Sequence, residues 1–274
     1  MDLKFSVLMA VYFKENPIFL SIGMESIWNY QTIKPDQIIL ICDGKLGKDL
    51  IEEIEQLKSK IPVLEVYGYK ENKGLGFALN FGLKKCNFEL VFRMDSDDLA
   101  HPMRFEIQLK HFQSESDISI IGTDIQEFID IPGDINKLRT VPISANSINL
   151  FKKKRNPFNH MTVLFKKSIV QKVGGYKEMS GYEDYYLWMR LLKEHKGKNL
   201  SQSLVFARIG NNMMERRQGF EFLKKEIRFQ NRLLYDKLIP YSIYVRNIFI
   251  RALPRILPVF ILNIIYTKYL RNRF

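Results

Sequence analysis

Short apolar runs of strand length recur along the first half of the chain, each followed by a longer stretch with apolar residues at helical spacing. The runs are 5–11 (FSVLMAV), 37–42 (QIILIC), 63–67, 89–94 and 118–121. Asn16-Pro17 supplies an N-cap and a first-turn proline for the first helix. Its predicted buried face carries Phe19, Ile22, Gly23, Ser26, Ile27 and Tyr30. Further helices are predicted over 46–59, with Leu50, Ile54 and Leu57 inward, over 77–85, and from His101-Pro102 to about Ser114. This alternation predicts βαβ units and a largely parallel sheet covered by helices on both faces. In such sheets ligands bind beyond the carboxyl ends of the strands, where Asp43, residues 72–76 and residues 95–98 fall.

The second half is less regular. Residues 131–149 read as a variable connection, 151–159 as a basic loop and 161–165 as a strand. A helix is predicted over 181–193, with Leu187, Trp188, Leu191 and Leu192 inward, and another over 220–236, rich in both charge and Leu/Phe.

Composition bounds the class. A chain of 274 residues, 46% hydrophobic and 26% charged, suits one large domain or a domain with an appendage, not a disordered segment. Cys42 and Cys86 are too few for a disulfide framework or a structural zinc site, and they fit a reducing compartment. The first residues lack the basic start and apolar core of a signal peptide. The longest apolar stretch, 256–266, contains Pro258 and Asn263 and falls short of the roughly 18 residues of a membrane span.

The net charge of +12 is unevenly spread. Residues 1–150 hold 16 basic and 22 acidic residues, and 151–274 hold 26 basic and 8 acidic ones. From Lys237 onward there is no acidic residue. An acidic body with a basic tail implies two surfaces and two partners. Tyr241, Tyr244, Phe249, Phe260, Tyr266 and Tyr269 are interleaved with Ile, Leu and Pro. That suits an anionic membrane interface rather than a base-stacking platform, so nucleic acid is not expected.

The chemistry concentrates in a few segments. Asp95-Ser96-Asp97-Asp98 places three carboxylates in four residues, and carboxylates that close repel unless a cation sits among them. A Mg²⁺ or Mn²⁺ ion that bridges carboxylates to phosphates would satisfy them; an acidic cap before the next helix is the plainer reading. Asp43-Gly44 is a strand-end turn or a carboxylate accepting from a nucleobase N–H. Asn72-Lys73-Gly74-Leu75-Gly76 offers glycines for close approach and a lysine for a phosphate or sugar. It is neither a Walker loop nor a dinucleotide fingerprint.

Glu183 and Asp184 sit where acids favour a helix start, and where a general base could be held. Arg208, Arg216 and Arg217 flank a Gly/Asn turn and form either a solvated loop or a diphosphate clamp. The lone His160 reads first as structural, and Lys152–Arg155 as a solvated loop.

Taken in order, VLMAVYFKENP at 7–17, Asp43-Gly44, NKGLGFALNFGL at 72–83, RMDSDD at 93–98 and GYEDYYLWMRL at 181–191 resemble the family-2 glycosyltransferases of bacterial polysaccharide assembly, over about residues 4–215. The resemblance implies an α/β fold of the GT-A type. Residues 1–219 would be catalytic, with a nucleotide-sugar half at 1–122 and an acceptor half at 123–219. Residues 220–274 would form a basic, helical, membrane-associating region.

It further implies that Asp43 contacts the uracil of a UDP-sugar, with Asn72 and Lys73 in the donor segment. Asp95 would lie near the ribose or donor sugar, Asp97 on Mn²⁺ or Mg²⁺, and Asp184 would be the catalytic base. Arg216 or Arg217 would assist at the diphosphate, and Asp98, Glu183, His160 and Arg208 are secondary candidates. Cys42 stands where many relatives have a further acid. NNMMERR at 211–217 replaces the Gln-x-x-Arg-Trp motif of processive synthases, which implies transfer of a single sugar.

The implied reaction is inverting transfer of a hexose, glucose or galactose, from its UDP form to a lipid-linked sugar such as GlcNAc-diphosphoundecaprenol. A β-1,3 linkage in O-antigen or capsule assembly is expected, with the protein held peripherally on the cytoplasmic face of the inner membrane. A sugar-phosphate nucleotidyltransferase would carry a Gly-rich loop after the first strand, where residues 12–17 have no glycine. A non-catalytic basic membrane-binding protein is the other alternative.

Overall fold

The apolar runs pair edge to edge. In the computed structural model, which describes residues 3–210 and 219–252, β1 (Phe5–Val11), β2 (Gln37–Asp43), β3 (Leu64–Tyr69) and β4 (Leu90–Arg93) lie parallel in the order β3-β2-β1-β4. Val7 sits beside Ile38 and Phe92, which sets the register. The helices α1 (Pro17–Trp28), α2 (Lys48–Lys60) and α3 (Leu75–Leu83) connect them. Asn16 caps α1 as expected, its side chain accepting the Ile18 N–H at 2.8 Å.

The buried stripe of α1 differs from the expected one. Leu20, Gly23, Met24, Ser26 and Ile27 face inward, while Ile22 and Tyr30 are exposed. The inward stripe follows i, i+3, i+4 and i+7 from Leu20.

After β5 (Leu99–Ala100) and α4 (Arg104–Ser114), the sheet continues with antiparallel strands. β6 (Ile118–Phe128) is far longer than the run at 118–121, and β7 (Lys137–Arg139) folds back on it. A 3₁₀ turn, His160–Thr162, precedes β8 (Leu164–Lys166), which lies antiparallel between β4 and β6. β9 (Lys196–Arg208) runs parallel to β6 with register shifts and carries β5 on its outer edge.

Among the described residues this makes one mixed sheet of nine strands, with the longest pairings parallel. The stretch at 131–149 is not a plain connection, because it holds β7 and the start of α5 (Ala145–Phe151). α6 (Lys167–Lys172) and α7 (Glu183–Leu191) complete this part. Apolar clusters cover both sheet faces. One contains Leu20, Met24, Leu40 and Phe105, and the other Leu79, Val91, Phe165 and Trp188.

The chain divides into two units. The first comprises Met1–Glu178 and Glu183–Ile209, and the second joins Met179–Tyr182 to the chain after Ile209. The second unit contains α8 (Phe220–Tyr235), α9 (Tyr241–Asn247) and a wide helical turn, Ile248–Ala252. No helix among the described residues is long and apolar enough to cross a membrane. Arg216, Arg217 and residues 253–274 lie outside the described residues.

Candidate active site

Three segments meet beyond the carboxyl ends of β1, β2 and β4. Asp43, the last residue of β2, is buried. Its carboxylate accepts the backbone N–H of Lys73 at 2.7 Å, that of Gly74 at 2.9 Å, and the Tyr69 hydroxyl at 2.8 Å. The Asn72 side chain donates to the Asp43 carbonyl at 3.1 Å. A carboxylate has about four acceptor positions, so Asp43 is largely engaged in shaping the 72–74 loop. Gly44 permits this approach. Its φ is +88°, and a Cβ there would lie 2.6 Å from the Asn72 nitrogen. The Lys73 ammonium lies over the rings of Phe77 and Tyr69, 4.8 and 5.9 Å from their centroids.

β4 delivers the acidic turn. Arg93, its last residue, is buried and ion-pairs with Asp95, whose side chain is 32% exposed. Asp98 is buried; its Oδ1 accepts the Arg208 N–H at 2.8 Å, and its Oδ2 makes no hydrogen bond. Arg208 is engaged within the fold through its guanidinium. Its Nε donates to the Asp97 carbonyl at 3.2 Å and its Nη1 to the Ile129 carbonyl at 2.9 Å. Its guanidinium stacks 3.8 Å from the Phe19 centroid and 4.4 Å from that of Phe128. Arg208 and Asp98 therefore hold the turn in place. α1 runs against the same turn, and a Cβ on Gly23 would come within 2.8 Å of the Ser96 carbonyl oxygen.

The turn carries excess negative charge. Burial, then the Asp95 charge, pushes the Asp97 carboxyl up, and burial with both neighbours pushes Asp98 well up. Glu15, from the loop after β1, joins them; burial and Asp97 raise it to about 7. No three His, Cys, Asp or Glu side chains among the described residues form a closed ion cage. Asp95 and Asp97 are only half-buried, and they are the carboxylates of this turn that could hold a hard divalent cation completed by phosphate oxygens and water.

α7 supplies the facing carboxylate. Asp184 is half-buried in its first turn, and Asn156 Nδ2 donates to its Oδ2 at 2.6 Å. Burial raises the Asp184 carboxyl, while the Tyr185 N–H, Asn156 and the charges of Arg93 and Arg139 work the other way. Glu183 packs against Gly76, where a Cβ would lie 3.1 Å from its Cγ.

His160 is held inside the fold. Its Nε2 meets the Tyr176 hydroxyl at 2.9 Å, its ring lies edge-on to Trp188, and burial pushes its pKa well below the usual value. Lys152 is buried rather than solvated. Its Nζ donates to the Leu192 carbonyl at 2.6 Å, at the end of α7, and burial lowers it to about 8.

Asp43, Asn72 and Lys73 meet at the end of β2, and Asp95 and Asp97 follow β4 at the same end of the parallel sheet, with Asp98 bonded to Arg208. The structure adds Arg93, Glu15 and Asn156, which sequence reasoning passed over. Arg93 stands inside RMDSDD, and its charge favours the ionised forms of Asp97, Asp98 and Asp184 alike.

The glycosyl transferase family 2 model matches residues 6–223. The chain is 39% identical over 270 residues to an Escherichia coli UDP-Gal:alpha-D-GlcNAc-diphosphoundecaprenol beta-1,3-galactosyltransferase, covering 98% of this chain and 97% of that one. It is 34% identical to the amylovoran biosynthesis glycosyltransferase AmsE of Erwinia amylovora, over 96% and 98% of the two chains. Among solved structures, S. aureus TarS 1-349 in complex with UDP-GlcNAc superposes with a TM-score of 0.65 at 17% identity, over 85% of this chain and 67% of that one. A mannosyltransferase from Pyrobaculum calidifontis, in complex with GDP-Man and Mn2+, gives 0.59 at 13% identity, over 83% and 61%. The fold is the GT-A-type α/β fold of these transferases.

Proposed function

Because the chain belongs to glycosyl transferase family 2 and is a glycosyltransferase, we propose that it moves galactose from UDP-galactose to the GlcNAc of a diphosphoundecaprenol-linked acceptor, forming a β-1,3 linkage in O-antigen or capsule assembly. One observation carries this choice: 39% identity along nearly the whole of both chains to the Escherichia coli enzyme with that donor and acceptor in its name. Of the two hexoses expected from the sequence, it favours galactose.

In this reading the 72–74 loop, shaped by Asp43, receives the nucleotide, with Lys73 at its edge. Asp97, with Asp95, would hold Mg²⁺ or Mn²⁺ on the donor diphosphate, and the ion would supply neutralisation of the charge that develops there. Arg216 or Arg217 would assist from the segment after Gly210. Asp184 takes the proton from the acceptor hydroxyl. That oxygen bonds to the anomeric carbon as the carbon–oxygen bond to the diphosphate breaks, with UDP leaving from the opposite face. A single displacement with one base inverts the configuration. Asn156 and Arg93 favour the ionised form of Asp184 against the burial that raises its pKa, and burial makes it the stronger base once ionised.

The second unit exposes Tyr241, Phe249 and Ile250 beside Arg246. With the basic residues beyond Lys237, this supports peripheral docking on an anionic inner-leaflet surface, each nearby Lys or Arg contributing about 1 kcal/mol. Flotation with anionic but not neutral liposomes is the expected result.

The deciding experiment supplies UDP-galactose, UDP-glucose or UDP-GlcNAc with Mn²⁺ and a GlcNAc-diphosphate-lipid. Transfer from UDP-galactose, with a β-1,3 product by NMR, is expected. Failure of every UDP-sugar overturns the reading, and pyrophosphate release from UTP and a sugar phosphate would favour a nucleotidyltransferase.

A further inference from the structure

The chain leaves its first unit at Met179, gives four residues to the second, and returns at Glu183, one residue before Asp184. The last of the four, Tyr182, is buried and strongly held. Its ring stacks on Phe229 with centroids 4.5 Å apart and planes 6° from parallel. Its hydroxyl donates to Glu226 Oε2 at 2.6 Å. Glu226 is fully buried, and its carboxylate gathers further donors. Arg251 reaches Oε1 through Nε at 2.9 Å and Oε2 through Nη2 at 3.2 Å, and Gln230 Nε2 reaches Oε1 at 2.9 Å. Asn247 Nδ2 then donates to Gln230 Oε1 at 3.0 Å, so α8, α9 and the turn after it share one network.

A buried ion pair of this kind is a weak source of stability compared with apolar packing of the same volume. What it adds is direction. Several charge-assisted bonds fix the carboxylate, and the carboxylate fixes the phenol. Gly181, with φ at +81°, and the Tyr182 N–H to Met179 carbonyl bond at 2.7 Å form the turn that brings the chain to this anchor.

We propose that Tyr182, two residues before Asp184 and fixed by the Glu226–Arg251 pair, is a positioning residue for Asp184. The proposal rests on the reading of Asp184 as the catalytic base. It gives Arg251 a part in holding Tyr182 that is separate from any part in docking.

The test uses the full chain and Tyr182→Phe, which removes only the hydroxyl and keeps the stack. Hydrogen exchange of the 183–187 amides, read without substrate, is expected to quicken about tenfold, the weight of one hydrogen bond to a charged group. Exchange in β1–β4 is expected to stay as it was. In transfer assays kcat falls by a similar factor while KM for the UDP-sugar is unchanged. Leu233→Ala, a cavity on the same helix that leaves every donor of the network in place, is the control for general loosening, and it lowers Tm without lowering kcat. Unchanged exchange at 183–187 in Tyr182→Phe overturns the proposal, as does an equal loss of kcat in Leu233→Ala. Because exchange needs no substrate, absence of transfer by the unaltered protein counts against the functional reading alone.

Discussion

Asn156 Nδ2 donates to Asp184 Oδ2 at 2.6 Å, which ties the basic loop before β8 to the first turn of α7. The bond favours the ionised carboxylate against the burial that raises it. Asp184 acts as a base only when ionised, so activity is lost as pH falls through its pKa. Asn156→Ala removes a lowering influence and moves that acid limb to higher pH. Near neutrality kcat falls about tenfold or more, as expected for a hydrogen bond to a charged group of ~1.5–3 kcal/mol. A pH–rate profile of the variant checks both.

Asp184→Asn separates chemistry from folding. Loss of a general base lowers kcat by about 10²–10⁴-fold. The folded-state pKa of Asp184 is raised, so its ionised form opposes folding above the unfolded pKa, and that opposition fades as pH falls. The uncharged amide removes it. Tm at neutral pH is therefore expected to hold or rise, measured by calorimetry alongside transfer.

Gly23→Ala tests the fit between α1 and the acidic turn. The added Cβ meets the Ser96 and Asp98 carbonyl oxygens at 2.8 and 3.1 Å, and both are backbone atoms. Overpacking of this kind costs ~1–3 kcal/mol. A lowered Tm together with weakened UDP-sugar binding by calorimetric titration is the expected pair of results.

Arg208→Met distinguishes a support from a ligand. Loss of the two ring contacts and the bonds to the Asp97 and Ile129 carbonyls is expected to destabilise by ~1–3 kcal/mol. Weakened UDP binding with an unchanged Tm would instead make Arg208 a diphosphate contact.

Chelation should abolish transfer, and Mn²⁺ should restore it. A metal needs the ionised carboxylate, and burial with Asp95 raises Asp97. The Mn²⁺ concentration for half-maximal rate is therefore expected to climb as pH is lowered. A titration at two pH values measures this, and Asp97→Asn should respond weakly to the metal at both.

The βαβ half was legible because its strands are buried on both faces and read as unbroken apolar runs, so β1, β2 and β4 fall where the pattern put them. β9 was not. KGKNLSQSLVFAR opens with two lysines, and its register against β6 shifts, so no period of two survives. The site divides in the same way. Carboxylates in a row announce themselves, as at Asp95–Asp98, and so does an acidic helix start at Glu183. Arg93 gave no signal, because nothing in a sequence marks an arginine at the end of a strand as buried. Arg208 read as one of a cluster of surface cations, and only the fold shows its guanidinium between Phe19 and Phe128.

The attachment of the acidic turn to Arg208 also has a bearing on synthesis. The two bonds that join Arg208 to Asp98 and Asp97 span 110 and 111 residues of sequence. On the ribosome, β1–β4 can pair as soon as residue 93 has emerged, since their contacts are more local. The turn that follows them has Arg93 and α1 beside it from the start, but it lacks both Arg208 bonds until more than a hundred further residues are made and β9 has added to the sheet. A nascent chain stalled before Arg208 would therefore hold paired β1–β4 strands with Asp97 and Asp98 short of the Arg208 bonds that fix the turn in the finished protein.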